Sequence, residues 1–159
     1  NQDVDNVFKN LSPEKVEFLD TRLYRTSGST ALFDAIGKTI FQIENEMKAK
    51  GDRPTDTAVV IIITDGYENA SRLFSLKDIR ESIIRLEATG RWTFSFLGAT
   101  LDAVDVAEKM AFKRKNSHSF QKRDMGFEVW DKVNESMNSY MSKKHLGQSL
   151  DDFYEENKK

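Results

Sequence analysis

The chain has 159 residues, a net charge of −2, 38% hydrophobic and 31% charged residues, and no cysteine. That length suits one domain able to bury roughly 70% of its unfolded surface without staples. The near-neutral charge gives no global field for nucleic acid or an anionic membrane, and the lack of cysteine excludes disulfides, thiolate metal sites and a cysteine nucleophile.

No apolar run reaches the length of a membrane span, and the opening NQDVDNVFKN is no secretory signal. A cytoplasmic setting is expected. Three Asn-x-Ser triplets, at Asn10, Asn69 and Asn134, fit a glycosylation pattern that is frequent by chance.

VDNVFK (4–9) reads as a strand end or a turn, and Ser12-Pro13-Glu14-Lys15 as a cap with proline at the first helical position. VEFLDTRLY (16–24) is ambiguous between helix and strand, and RTSGS (25–29) is a loop. From Thr30 the period turns helical, with Leu32, Ile36, Ile40, Ile43 and Met47 on one face. Gly51 to Pro54 stops it. AVVIII (58–63) is a continuous β-branched run, suited to a strand buried on both faces of a parallel sheet.

The polar loop TDGYENASR (64–72) follows that strand. A second helix is marked by Leu76, Ile79, Ile83 and Leu86, capped by Ser75 and ended by Gly90. WTFSFLG (92–98) is the next strand, and Ala103, Val104, Ala107, Met110 and Ala111 mark a short third helix. SHSF (117–120) suits an edge strand. Phe127, Trp130, Val133, Met137, Tyr140 and Met141 mark a final helix, with Trp130 expected in the core. The alternation predicts an α/β fold, a doubly wound, mostly parallel sheet with helices on both faces. We assign residues 1–144 to the domain and 145–159 to a charged tail expected to fray.

Ligands of open α/β sheets bind beyond the carboxyl ends of the strands. Two loops lie there: TSGST (26–30), leading into the first long helix, and TDGYEN (64–69). Their hydroxyl and carboxylate oxygens suit a hard divalent cation. Plainer roles compete: Ser29 or Thr30 as a helix cap, and Asp65-Gly66 as a turn.

SGSTALFDAIGKTI (27–40), VVIIITDGYENASR (59–72) and FSFLGA (94–99), in this order and spacing, resemble the von Willebrand factor A family, and its prokaryotic and phage-type members in particular. The resemblance spans about residues 4 to 141. It implies a Rossmann-like sheet carrying Mg2+ or Mn2+ at its top, held by an Asp-x-Ser-x-Ser loop, a Thr loop and an Asp loop. It places Thr30 in the Thr position and Asp65 in the Asp position. Ser27, Gly28 and Ser29 would shape the Thr loop and Gly66 the Asp loop, with Glu68 and Asn69 nearby. It further implies a non-enzymatic, protein-binding module in which a partner's Asp or Glu completes the metal's coordination.

No Asp-x-Ser-x-Ser occurs in the chain. In family terms residues 1–26 correspond to the third strand and its connection, so the domain reads as incomplete. The first strand, first helix and second strand are then expected from upstream residues or a second chain, with strand 58–63 left as a bare edge prone to aggregation. Two ligands alone should hold a cation weakly or not at all.

Other chemistries fit less well. Gly37-Lys38-Thr39 resembles the end of a phosphate-binding loop, but Leu32 stands where that loop needs its first glycine. A phosphoryl-transfer enzyme is therefore the alternative reading, and an assembly subunit with vestigial metal loops a third. No Gly-x-Gly-x-x-Gly follows a strand, so no dinucleotide is expected. His118 and His145 lack partners in any catalytic motif. Lys109, Lys113, Arg114, Lys115, Lys122 and Arg123 form a basic cluster that suits an acidic partner, phosphates or plain solvation.

Overall fold

The structure is a computed structural model that describes residues 8, 11–16, 28–121, 127–148 and 153–154. The expectations for residues 4–7, 9, 17–27, 122 and 123, including the loop role of Ser27, fall outside these residues. After a short 3-10 turn at Pro13–Lys15, the chain runs α1 (Leu32–Ala49), β1 (Ala58–Thr64), α2 (Leu76–Glu87), β2 (Trp92–Gly98) and α3 (Ala103–Lys109). A 3-10 turn at Arg114–Asn116, β3 (Ser117–Ser119) and α4 (Phe127–His145) follow. No helix among the described residues is long and apolar enough to cross a membrane.

The three strands are parallel in the order β1-β2-β3, with Val60 opposite Phe94 and Leu97 opposite His118. Among the described residues β1 pairs on one side only, with β2. Because side chains alternate across a strand, β1 and β2 each feed two cores. Val60, Ile62, Phe94 and Phe96 face α1, α2 and α3, whose buried residues include Ile36, Ile40, Ile79, Ile83 and Ala107. Val59, Ile61, Ile63 and Leu97 face the other way, toward Val129, Val133 and Tyr140 of α4. The sheet is thus covered on both faces, the arrangement a parallel sheet requires.

Three expectations change. Helix α1 starts at Leu32, not Thr30, and its N-cap Ala31 has no side chain to cap with. Trp130 is 53% exposed and not in the core; the buried face of α4 is Val129, Val133, Ser136 and Tyr140. The cause is what packs there: Phe153 and Tyr154 from the tail, which do not fray but lie buried beside Tyr140 and β2. The Phe153 N–H donates to Asn116 Oδ1 at 2.9 Å, and the Tyr154 hydroxyl accepts from Ser95 at 2.8 Å. Burial pushes the Tyr154 phenol up to about 12, against a smaller opposing effect of Ser95.

Two described members of the basic cluster are ion-paired. Lys113 lies 3.5 Å from Glu87, and Arg114 lies 3.2 Å from Glu108 and 3.9 Å from Asp105. Ser75 caps α2 as expected, in a capping box with Asp78.

Gly37 lies inside α1, where glycine usually costs about 1 kcal/mol against alanine. Its place is explained by Phe74, whose ring would lie 2.5 Å from any Cβ at position 37. Gly37→Ala should therefore destabilise the domain by about 1–2 kcal/mol, overpacking outweighing the gain in helix propensity. Urea unfolding checks this, and the loss should shrink in a Phe74→Leu background. A stabilising Gly37→Ala would contradict the packing account.

Candidate functional site

Helix α1 presents amides at its start that no residue of its own caps. The loop after β1 supplies the partners. The Phe33 N–H donates to Glu68 Oε2 at 2.9 Å, and the Asp34 N–H to Ser71 Oγ at 3.0 Å. Just before the helix, the Thr30 N–H donates to Asn69 Oδ1 at 2.8 Å, and the Asn69 N–H returns a bond to the Thr30 carbonyl at 3.0 Å.

The traffic also runs the other way. Asp34, buried to 3% exposure, accepts the backbone N–H groups of Arg72, Leu73 and Phe74 at 2.9–3.0 Å. Burial works to raise its carboxyl, but these three amides, helped by Lys38, outweigh that and hold it below the usual range. Glu68 behaves alike. Its carboxylate accepts from Phe33, Ala70 and Ser71 N–H and from the Ser71 hydroxyl. Burial is again outweighed, and Glu68 too is lowered.

The rim of the site is set by Thr64, the last residue of β1. Its hydroxyl donates to the Gly66 carbonyl at 2.9 Å and accepts the Gly66 N–H at 3.2 Å, which turns the chain at Asp65. Asp65 is exposed at this turn. The Thr30 hydroxyl lies 2.9 Å from where a Cβ on Gly66 would stand. A side chain at 66 would push Thr30 away, so glycine is required there by close approach. Gly28 differs: nothing lies within 4 Å of a Cβ built on it, and contacts do not demand glycine. Ser29 is half-buried beside Thr30. Across the rim, the Tyr67 hydroxyl donates to Asp102 Oδ1 at 2.7 Å. That bond raises the Tyr67 phenol and lowers the Asp102 carboxyl, tying the Asp loop to the start of α3.

Thr30 and Asp65 offer a hydroxyl and a carboxylate to a hard cation. Glu68 does not, since four donors already occupy its oxygens. Among the described residues no group of three or more His, Cys, Asp or Glu side chains could hold a metal. Two oxygens would in any case supply only a part of the shell of six that magnesium needs. Gly37-Lys38-Thr39 lies well inside α1, not in a strand-to-helix loop, so it cannot present amides to a phosphate. Asp34, Ser71, Tyr67 and Asp102 are not among the residues the sequence singles out. The only local signal is an aspartate in the first turn of α1, which suits the helix dipole as well.

Both lowered carboxylates bind protons more weakly folded than unfolded. Their stabilisation is therefore complete above their ordinary values of 4.5 and 3.8 and is lost as the pH falls through the lower folded values. The melting temperature should fall with acidification below about pH 4.5. Asp34→Asn should melt several degrees lower at pH 7 and show a flatter acid limb, read by circular dichroism. An unchanged limb would remove Asp34 from this account.

The sequence profile described as von Willebrand factor type A domain matches residues 6–135. No curated protein and no solved structure is significantly similar to the chain. With a parallel sheet covered by helices on both faces and a profile match over most of its length, this chain belongs to the von Willebrand factor type A domain family, which commonly mediates metal-dependent protein interactions.

Proposed function

We propose that the chain is a non-enzymatic protein-binding module in which Thr30 and Asp65 contribute to a Mg2+ or Mn2+ site and a partner's Asp or Glu completes the coordination. The observation that carries this reading is the seat of the Thr30 hydroxyl against Gly66, next to the exposed Asp65, at the carboxyl end of β1. A hydroxyl that close to the Asp loop is of no use as a cap for α1, whose first amides are served by Glu68 and Ser71.

When bound, the ion supplies a positive centre that accepts a carboxylate oxygen in place of water. The chain's own part is to fix two oxygens on a rim that cannot shift. Asn69 holds Thr30 by two bonds, and Thr64 fixes the turn at Asp65. The phosphoryl-transfer alternative loses its main support with Gly37-Lys38-Thr39 inside α1.

The test uses Mn2+ as the ion and acetate as a stand-in for the partner carboxylate. Mn2+ binding, followed by water-proton relaxation, should be weak in the wild type and tighter when acetate is present. Linkage requires the two to reinforce each other if they share one centre. Thr30→Ala and Asp65→Ala should each abolish the acetate effect while costing about 1 kcal/mol or less of stability, since neither side chain packs in a core. Equal Mn2+ and acetate responses in wild type and both variants would favour an assembly role without metal.

A further inference from the structure

The loop that follows β2 leaves the sheet beside the end of β1. Gly98 stands opposite Thr64, and the Ala99 N–H donates to the Thr64 carbonyl at 3.0 Å. Thr100 then meets both members of the Tyr67–Asp102 pair. On one side it shares a small recess of the rim with Thr64, Gly66 and Tyr67. On the other it lines a cavity of about 590 Å³ between this loop, β3 and α4. Rim and cavity are therefore one continuous surface, joined at Thr100.

The two parts differ in chemistry. The rim offers oxygens. The cavity offers an apolar bed, in which Leu97 and Val129 are 2% and 5% exposed, with Ala99 and Phe120 beside them. Lys132 and His118, which meet at 3.3 Å, belong to its wall, and its capacity for an apolar group does not depend on their charge. Leu101, in the loop shared by both parts, is fully exposed. A single exposed leucine is ordinary, but one beside an apolar bed extends a patch.

The spacing follows from the sheet. Adjacent strands lie about 4.8 Å apart, so β3 stands about 10 Å from β1. An extended chain advances about 3.3 Å per residue and crosses that distance in about three residues. We propose, on the reading of Thr30 and Asp65 as the seat of the partner's acid, that the partner carries a large apolar side chain about three positions from that acid, seated in the cavity. A lone carboxylate on a partly formed cation shell binds weakly, whereas anchors buried in pockets carry much of the energy of protein interfaces. The cavity supplies what the rim lacks.

The probes are the capped peptides Asp-Ala-Ala-Phe, Asp-Ala-Ala-Ala and Asn-Ala-Ala-Phe and their reversed sequences. Each is titrated calorimetrically into the 159-residue chain, in Mn2+ and in EDTA. In Mn2+, and in whichever direction binds better, phenylalanine should tighten binding about tenfold over alanine, the gain of a phenyl ring removed from water. Ser119→Trp starts from an exposed position and fills the cavity. It should erase that advantage with an unchanged melting temperature and leave the Mn2+-dependent binding of the alanine peptide as it was. Leu101→Ser, at a fully exposed position, should cut the advantage at least about twofold. Equal binding of the phenylalanine and alanine peptides, or an advantage that survives both variants, overturns the proposal; aspartate peptides that still need Mn2+ would then leave the rim reading standing alone. Binding that neither EDTA nor asparagine in place of aspartate weakens removes the rim reading, and the paired site with it.

Discussion

The site depends on an exchange of hydrogen bonds between two segments almost forty residues apart. A helix that begins without a capping side chain leaves amides that must find partners or be solvated. Here Glu68 and Ser71 cap α1 from the loop after β1, and Asp34 of α1 in turn gathers three amides of that same loop. Neither segment is satisfied without the other. The loop therefore cannot move away from α1 without exposing charged, desolvated carboxylates, and this is why an irregular polar stretch can serve as a rigid rim.

The same exchange explains the division of labour among the acidic residues. Glu68 and Asp34 are spent on backbone amides, and their carboxyls are held low for that reason. Asp102 is engaged by Tyr67. Asp65 stands at the exposed turn. Three carboxylates of one rim are thus structural. A surface count of acidic residues would overstate the anionic character of this end of the sheet.

Much of the fold is legible in the sequence, for physical reasons that differ by element. The run at 58–63 is read correctly because a strand buried on both faces suits uninterrupted apolar residues, and 92–98 because its large apolar residues Trp92, Phe94 and Phe96 alternate at the period of a strand. Helix α2 is legible because its cap and its apolar period agree. The rotation of α4 is not. Apolar residues at 130, 133, 137, 140 and 141 span more than one face, and the choice between faces is made by Phe153 and Tyr154, which read as part of a charged tail. In the site, the Thr and Asp loops are visible as motifs. The clasp at Asp34 is not, because a long-range bond from a carboxylate to backbone amides leaves no mark on the residues that donate.

The placement of Phe153 and Tyr154 also orders the two cores in time. The core of α1, α2, α3 and one sheet face is assembled from residues 32 to 112. The core on the opposite face lacks two of its largest aromatic rings until residue 154 has been added. During synthesis, which proceeds from the amino terminus, one face of the sheet can therefore close while the chain is still being made. The other, with Val59, Ile61 and Ile63 on it, stays incomplete until Phe153 and Tyr154 have been made. A nascent chain at that point carries an apolar sheet face that its own sequence has yet to cover.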